Sequence, residues 1–308
     1  MELKRVVVTG LGTLNPIGNN IQEYWNNLEQ GVSGSEMITS FDVSKFKTKF
    51  ACQVKNFDPL QHFDRKELRK FDPYCQYALV SAHEAMLDSG LELDKIDHDS
   101  AGVIWASGIG GIQSFLEELK GFFAGDGTPR FSPFFIPRMI ADIASGHISI
   151  RYGFRGPNYS TVSACASSTH ALIDSFYLIR MDKAKIMITG GSEASVNEPG
   201  VGGFNAMQAM STNNENYKTA SRPMDATRDG FVMGEGAGAF ILEELEHAKA
   251  RGAKIYAEIV GGGMSADAYH FTAPHPDILA VPHLPVPVRL SVDARELVLA
   301  RVVVRSEQ

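Results

Sequence analysis

A chain of 308 residues, 44% hydrophobic and 21% charged, is long enough for one large domain or two ordinary ones and has a globular composition. Its net charge of −7 and pI near 5.7 exclude the basic footprint that nucleic acid or an anionic membrane surface requires. No apolar run is long enough to span a bilayer and no basic-then-apolar leader follows Met1; the three cysteines, Cys52, Cys75 and Cys165, have no metal-like spacing, so a reducing cytoplasm without a disulfide framework is expected.

In chain order, Lys4 to Gly10 reads as a short buried strand. The following GLGTLNPIG is expected to turn at its glycines. It resembles a dinucleotide fingerprint only superficially, because Asn15 stands where the third glycine is required. Ile21 to Leu28 reads as a helix closed by Gly31. Ser40 to Phe63 is a long excursion anchored by Phe41, Phe46, Phe50, Phe57 and Phe63. Asp72 to Ser89 is an amphipathic helix stopped by Gly90.

Ser100 to Gly111 predicts a strand and a glycine turn in which Ile109 is the lone bulky side chain. The residues by themselves favour a packing role for it. Ile112 to Phe123 is helical, and Gly125 to Pro137 is a loop whose Phe134, Phe135 and Ile136 need a cover, such as a second subunit. Met139 to Tyr152 reads as a helix with small residues for close packing. Ala184 to Gly191 is a buried strand, and Gly200 to Met210 a glycine-rich loop carrying Phe204 and Met207. In Arg222 to Gly238 the alternating Arg222, Asp225, Arg228, Asp229 and Glu235 predict a salt-bridge network. A strand over Ala239 to Glu243, a charged helix and the strand KIYAEIVGGG follow. Strands alternating with helices argue for an α/β layered fold.

The stretch from Asn158 to Ile179 carries the chemistry. Tyr159, Thr161 and Val162 read as a strand; Ala171, Leu172, Ser175, Phe176 and Ile179 recur at helical spacing, with Ser167 and Ser168 as expected N-caps. Cys165 falls at the turn between them, flanked by Ala164 and Ala166, small enough to let another molecule approach. A thiol at a helix N-terminus feels the positive end of the helix dipole, which favours the nucleophilic thiolate. On these residues alone a nucleophile and a buried structural cysteine both remain open.

The chain resembles the elongating β-ketoacyl-acyl-carrier-protein synthases. The strings that carry the resemblance are RVVVTGLGTLNPIG, SGIGG, SPFFIP, GHISIRYGFRGPN, TVSACASS, ITGGSEA, RPMDATRDGFVMGEGAGAFILEELEHAKARGAKIYAEIVG and SADAYHFTAP, in order over Leu3 to Pro276. The resemblance implies a thiolase-like layered α-β-α-β-α sandwich, with its first half complete here and its second half largely missing. It implies Cys165 as the acyl-accepting nucleophile, with its backbone N–H as one oxyanion donor. Ile109 and Phe204 match positions that line or gate the acyl pocket, Phe135 and Ile136 match residues reaching into a neighbouring subunit's pocket, and Thr272 matches a residue beside the pantetheine channel. The implied partners are an acyl carrier protein and a second copy in a homodimer, with no nucleic acid or membrane. No metal or organic cofactor is implied, since the carrier protein brings the phosphopantetheine.

The match stops after Asp277. The family's later HGTGT-like and K-x-x-x-GH-like histidine motifs and its GFGG loop are not found in the string; His270, His275 and His283 match none of them, and His147 and His170 read as structural. The resulting division is a ketosynthase half-domain over 1–254, the start of the other half over 255–277 and a non-family tail over 278–308. The tail has no glycine or lysine and is rich in valine, proline and arginine; an out-of-frame reading, a gene-model fusion and a genuine divergent end all remain open, with a frameshift or truncation the favoured expectation. The expected function is acyl transfer to Cys165 followed by decarboxylative condensation in fatty acid elongation, with decarboxylation and condensation severely impaired in this shortened chain and acyl transfer surviving weakly. The alternatives are an inactive shortened copy or a non-catalytic partner of the chain-length-factor kind.

Overall fold

The computed structural model describes residues 3–266 and 268–270, together with the backbone of 300–305. In chain order the elements are β1 (Val6–Leu14), α1 (Ile21–Glu29), β2 (Glu36–Met37), β3 (Phe50–Ala51), α2 (Arg65–Leu68), α3 (Pro73–Ser89), β4 (Ala101–Ala106), α4 (Ile112–Ala124), α5 (Phe135–Met139) and α6 (Ile143–Tyr152). They continue as β5 (Asn158–Tyr159), α7 (Ser167–Arg180), β6 (Ile186–Glu193), α8 (Glu198–Ala206), β7 (Gly236–Glu244), α9 (Leu245–Ala250), β8 (Ala257–Met264) and β9 (Ala300–Arg305).

Seven strands form one mixed sheet in the order β5-β4-β6-β7-β1-β8-β9, and β2 pairs with β3 in a separate ribbon. The strands β5, β4 and β6 run parallel; β7, β1, β8 and β9 join antiparallel to their neighbours. Alternate residues serve opposite faces, as a pleated strand dictates. Val103 and Trp105 join Ile186, Ile188 and Ile241 beneath α3 and α6. Ile104 and Ala106 join Val6, Met187 and Leu242 beneath α7. Because both faces are covered, β4 reads as an unbroken apolar run, and each fully buried Ile, Phe or Leu contributes about 1.5–3 kcal/mol. The described residues thus make an α-β-α unit, the first half of the five-layered sandwich.

Local signals explain most boundaries. Asp72 caps α3 by accepting from the Tyr74 N–H, and Gly90 ends the helix in the left-handed region at φ 63°. The same carboxylate accepts from the N–H and hydroxyl of Ser114 at 2.8 and 2.7 Å, tying the start of α4 to the start of α3.

Five expectations need correction. The chain does not turn at Gly10; β1 runs through to Leu14, since a Cβ on Gly12 would lie 2.0 Å from the Ser81 carbonyl oxygen and glycine is what lets α3 press on the strand. Phe135 and Ile136 begin α5, so the SPFFIP segment is partly helical. Helix α6 starts only at Ile143 because Ile140 is extended at ψ 135° and separates it from α5. Phe204 lies on α8, which is capped by Asn197 accepting from the Gly200 N–H at 3.0 Å in spite of its three glycines. Ser167 is the first residue of α7 and Ala166 precedes it, so neither Ser167 nor Ser168 is the N-cap.

Candidate active site

The carboxyl ends of the parallel strands β4 and β6 meet the start of α7, the place where open α/β sheets bind ligands. A Cβ on Gly191 of β6 would lie 2.1 Å from the Ser168 hydroxyl and 3.1 Å from the Ala106 carbonyl oxygen, so the start of α7 sits close against the sheet here. Just before the helix, Ala164 adopts φ 51°, an unusual conformation for a residue with a Cβ. The elbow is fastened by Ser167, whose hydroxyl donates to the Ala164 carbonyl at 2.7 Å and accepts from the Ser163 N–H at 2.8 Å. Cys165 projects from this elbow and is exposed, which excludes the buried structural reading. Cys75, by contrast, is buried in α3, and burial pushes its thiol up, as it does for Cys52.

Cys165 opens onto a cavity of about 700 Å³. Ile109, from the turn between β4 and α4, lines it and is 44% exposed, so the packing role favoured by the residues alone is corrected. Phe204 of α8 forms another part of the wall, set edge-on to Phe231 with ring centroids 5.3 Å apart. Cys165, Ile109 and Phe204 therefore converge from three separated parts of the sequence.

Phe135 and Ile136 do not line this cavity. Phe135 stacks on Phe131 and Phe115 at 5.4 and 6.1 Å, and Ile136 is exposed. Thr272, His275 and His283 lie outside the described residues, as do residues 271–299 generally. His147 packs edge-on against Phe71 at 4.8 Å, and His170 Nδ1 is 2.6 Å from the Ser163 hydroxyl oxygen.

Two carboxylates stand in the cavity wall, Glu193, which the sequence reading passed over, and Glu235, which it placed in a salt-bridge network. Glu193 accepts from the Gly108 N–H at 2.7 Å, the Ile109 N–H at 3.2 Å and the Ser195 hydroxyl at 3.0 Å. Burial pushes its pKa up, against the lowering effect of those bonds. Glu235 accepts from the Val54 N–H at 3.0 Å and lies 3.4 Å from the Tyr77 hydroxyl; burial pushes it up to about 7. It stands apart from the expected salt-bridge network, which is realised as an Arg222–Asp229 pair at 3.2 Å with Asp225 accepting from Thr227. The only sequence signal for either was an acidic residue among glycines beside a strand, in GGSEAS and MGEGAG.

Among the described residues no three His, Cys, Asp or Glu side chains are grouped to hold a metal ion, and no helix is long and apolar enough to cross a membrane.

Residues 3–248 match the model of the β-ketoacyl synthase N-terminal domain. The chain belongs to the β-ketoacyl synthase family. A 3-oxoacyl-[acyl-carrier-protein] synthase 2 of Synechocystis is 48% identical over 277 residues, covering 90% of this chain and 66% of the relative. The Staphylococcus aureus (strain COL) protein of the same name is 46% identical over 274 residues, covering 89% of this chain and 66% of its own length. A crystal structure of a β-ketoacyl synthase from Burkholderia phymatum STM815 superposes with a TM-score of 0.80 at 32% identity, over 88% of this chain and 66% of that one. A type II polyketide acyl-carrier protein in complex with its ketosynthase gives 0.78 at 33%, over 87% and 65%. This β-ketoacyl synthase chain thus spans 66% of the length of those curated relatives, and its sheet and helix layers are those of a thiolase-like ketosynthase.

Proposed function

We propose that the chain carries the acyl-accepting site of a 3-oxoacyl-acyl-carrier-protein synthase acting in fatty acid elongation. The observation that carries this reading is Cys165, exposed on a positive-φ elbow at the start of a 14-residue helix and opening onto the cavity lined by Ile109 and Phe204. The Cys165 sulfur attacks the thioester carbonyl of an acyl chain on a carrier protein's phosphopantetheine. The carrier C–S bond breaks, a new thioester forms on Cys165, and the thiol proton passes to the departing pantetheine sulfur. The Cys165 N–H donates to the oxygen that becomes negative in the tetrahedral intermediate, and one such donor is worth about 10²–10³ in rate.

In the family's second half-reaction malonyl-carrier protein loses carbon dioxide, its enolate carbon attacks the acyl-enzyme, and the bond to Cys165 breaks to release the thiolate and a carrier-bound 3-oxoacyl chain two carbons longer; with the HGTGT-like and K-x-x-x-GH-like histidine motifs not found in the string, this is the half-reaction expected to be severely impaired. The phosphopantetheine arrives with the substrate. A carrier protein as partner is supported by the related ketosynthase that is bound to its own carrier protein. Phe135 and Ile136, on the exposed aromatic face of α4 and α5, are assigned to a homodimer contact, and Thr272 to the pantetheine channel. The division into half-domains at 254 and the cytoplasmic setting belong to the same reading. An intact Cys165 weighs against a non-catalytic partner.

The test is intact-protein mass measurement after incubation with a fatty acyl-carrier protein, beside Cys165→Ala. An added acyl mass on the unaltered chain alone is expected. No added mass on folded protein sinks the reading.

A further inference from the structure

The turn between β4 and α4 presents successive backbone N–H groups, a concavity that attracts an anion. In this protein the anion is built in. One oxygen of Glu193 accepts from both Gly108 and Ile109, at 2.7 and 3.2 Å. The other accepts from Ser195 at 3.0 Å. The fit is close: a Cβ on Gly108 would lie 3.0 Å from the first oxygen. The far side of the same turn is pinned by the Ser107 hydroxyl, which accepts from the Gly110 N–H at 2.9 Å and itself lies 3.5 Å from both Glu193 oxygens. Glu193 and Ile109 both line the cavity. The carboxylate therefore grips the backbone of the one bulky, cavity-lining side chain in a run of glycines.

We propose that Glu193 is a positioning residue: by holding the Gly108 and Ile109 N–H groups it fixes where the Ile109 side chain stands, and so sets how long an alkyl chain the cavity accepts. The inference rests on the reading of the cavity as an acyl site. Its chemistry is specific to a carboxylate. An amide of the same shape can keep one acceptor oxygen on the two N–H groups, but an uncharged one, and presents its NH2 to the Ser195 hydroxyl, so Glu193→Gln weakens the hold on the turn while preserving volume. Loss of one charge-assisted hydrogen bond corresponds to about a tenfold change in an equilibrium.

The experiment uses the full chain carrying Cys165→Ala, so that its outcome is independent of thiol chemistry, with and without Glu193→Gln. Calorimetric binding of octanoate and palmitate is measured alongside amide hydrogen exchange at Gly108 and Ile109. Glu193→Gln is expected to speed exchange at those two amides and to change the palmitate-to-octanoate affinity ratio about tenfold. Glu198→Gln, on a surface glutamate paired with Lys120, is expected to change neither. Unchanged exchange, faster exchange with an unchanged ratio, or no binding of either fatty acid overturns the proposal. If Glu193→Gln does not fold, Ser195→Ala removes one donor to the same carboxylate and must move both readouts in the same direction. Failure of acylation at Cys165 in the mass measurement, with these results intact, would count against the reaction and leave the positioning role standing.

Discussion

Strand β7 has a buried or half-buried glutamate near each end, and the two are held in opposite ways. Glu243, fully buried, is opposed by desolvation, yet hydrogen bonds from His247 and Arg251 and from the Thr9 hydroxyl outweigh it and hold its carboxyl below the ordinary value of 4.5. Glu235, just before the strand, faces the cavity, and burial against only the Val54 N–H and the Tyr77 hydroxyl pushes it up to about 7. The Glu243 network locks α9 to β1 and β7. The Glu235 site leaves a carboxylate poised near neutrality in the wall of the cavity onto which Cys165 opens. A cation partner therefore marks the structural end of the strand, and its lack of compensation marks the cavity end.

Arg251→Ala sharpens the contrast most. It leaves Glu243 buried with its main charge partner gone and should cost about 3 kcal/mol in urea unfolding, since breaking a buried pair is expensive. A loss near zero would show that Glu243 is not held by Arg251. The pH dependence should then separate the two sites. The Glu243 carboxyl is depressed, so its contribution is present above 4.5 and fades as pH falls through its lower folded value. Glu235 is raised, so its contribution is complete below 4.5 and is lost as pH rises to about 7. Glu235→Gln should abolish that loss, leaving the variant about 3 kcal/mol more stable relative to the parent at pH 8 than at pH 4. A parallel shift at both pH values would break the assignment.

Smaller effects test individual donors. Thr9→Val removes a 2.5 Å bond to Glu243 and should cost about 1.5 kcal/mol at neutral pH, less in acid as the carboxylate protonates. Tyr77→Phe removes a long 3.4 Å contact to Glu235. It should change stability by about 0.5 kcal/mol and push the Glu235 carboxyl further up, visible as a shift of its titration by carbon-detected magnetic resonance. A downward shift would mean that Tyr77 does not donate to this carboxylate.

What could be read from the chain alone follows the reach of each signal. Asp72 and Gly90 bracket α3 because capping is decided within a turn of helix. The apolar run AGVIWA is a strand because both its faces are covered. Cys165 was placed before α7 by the helical spacing that follows it, whereas the strand expected through Thr161 and Val162 is not formed, since β5 ends at Tyr159. Ile109, Phe204 and Cys165 were assembled into one site only through resemblance, since they are separated by dozens of residues. Gly12 was misread because a glycine that admits a packed helix and a glycine that makes a turn look the same in one dimension. Helix α8 was missed because its glycines oppose helix formation locally, while the Asn197 cap and the burial of Val201 decide the matter.

The sequence by itself determined the layered α/β unit, its main helices and strands, and the placement of a small-flanked cysteine before a helix, all of which depend on neighbours in the chain. Only the tertiary structure decided which way that cysteine faces, that Ile109 and Phe204 share its cavity, and that Glu193 and Glu235 stand in the wall with raised pKa values. Solvation and hydrogen bonding at these side chains are set by groups such as Gly108 and Val54, far away along the chain, and no local pattern of residues records them.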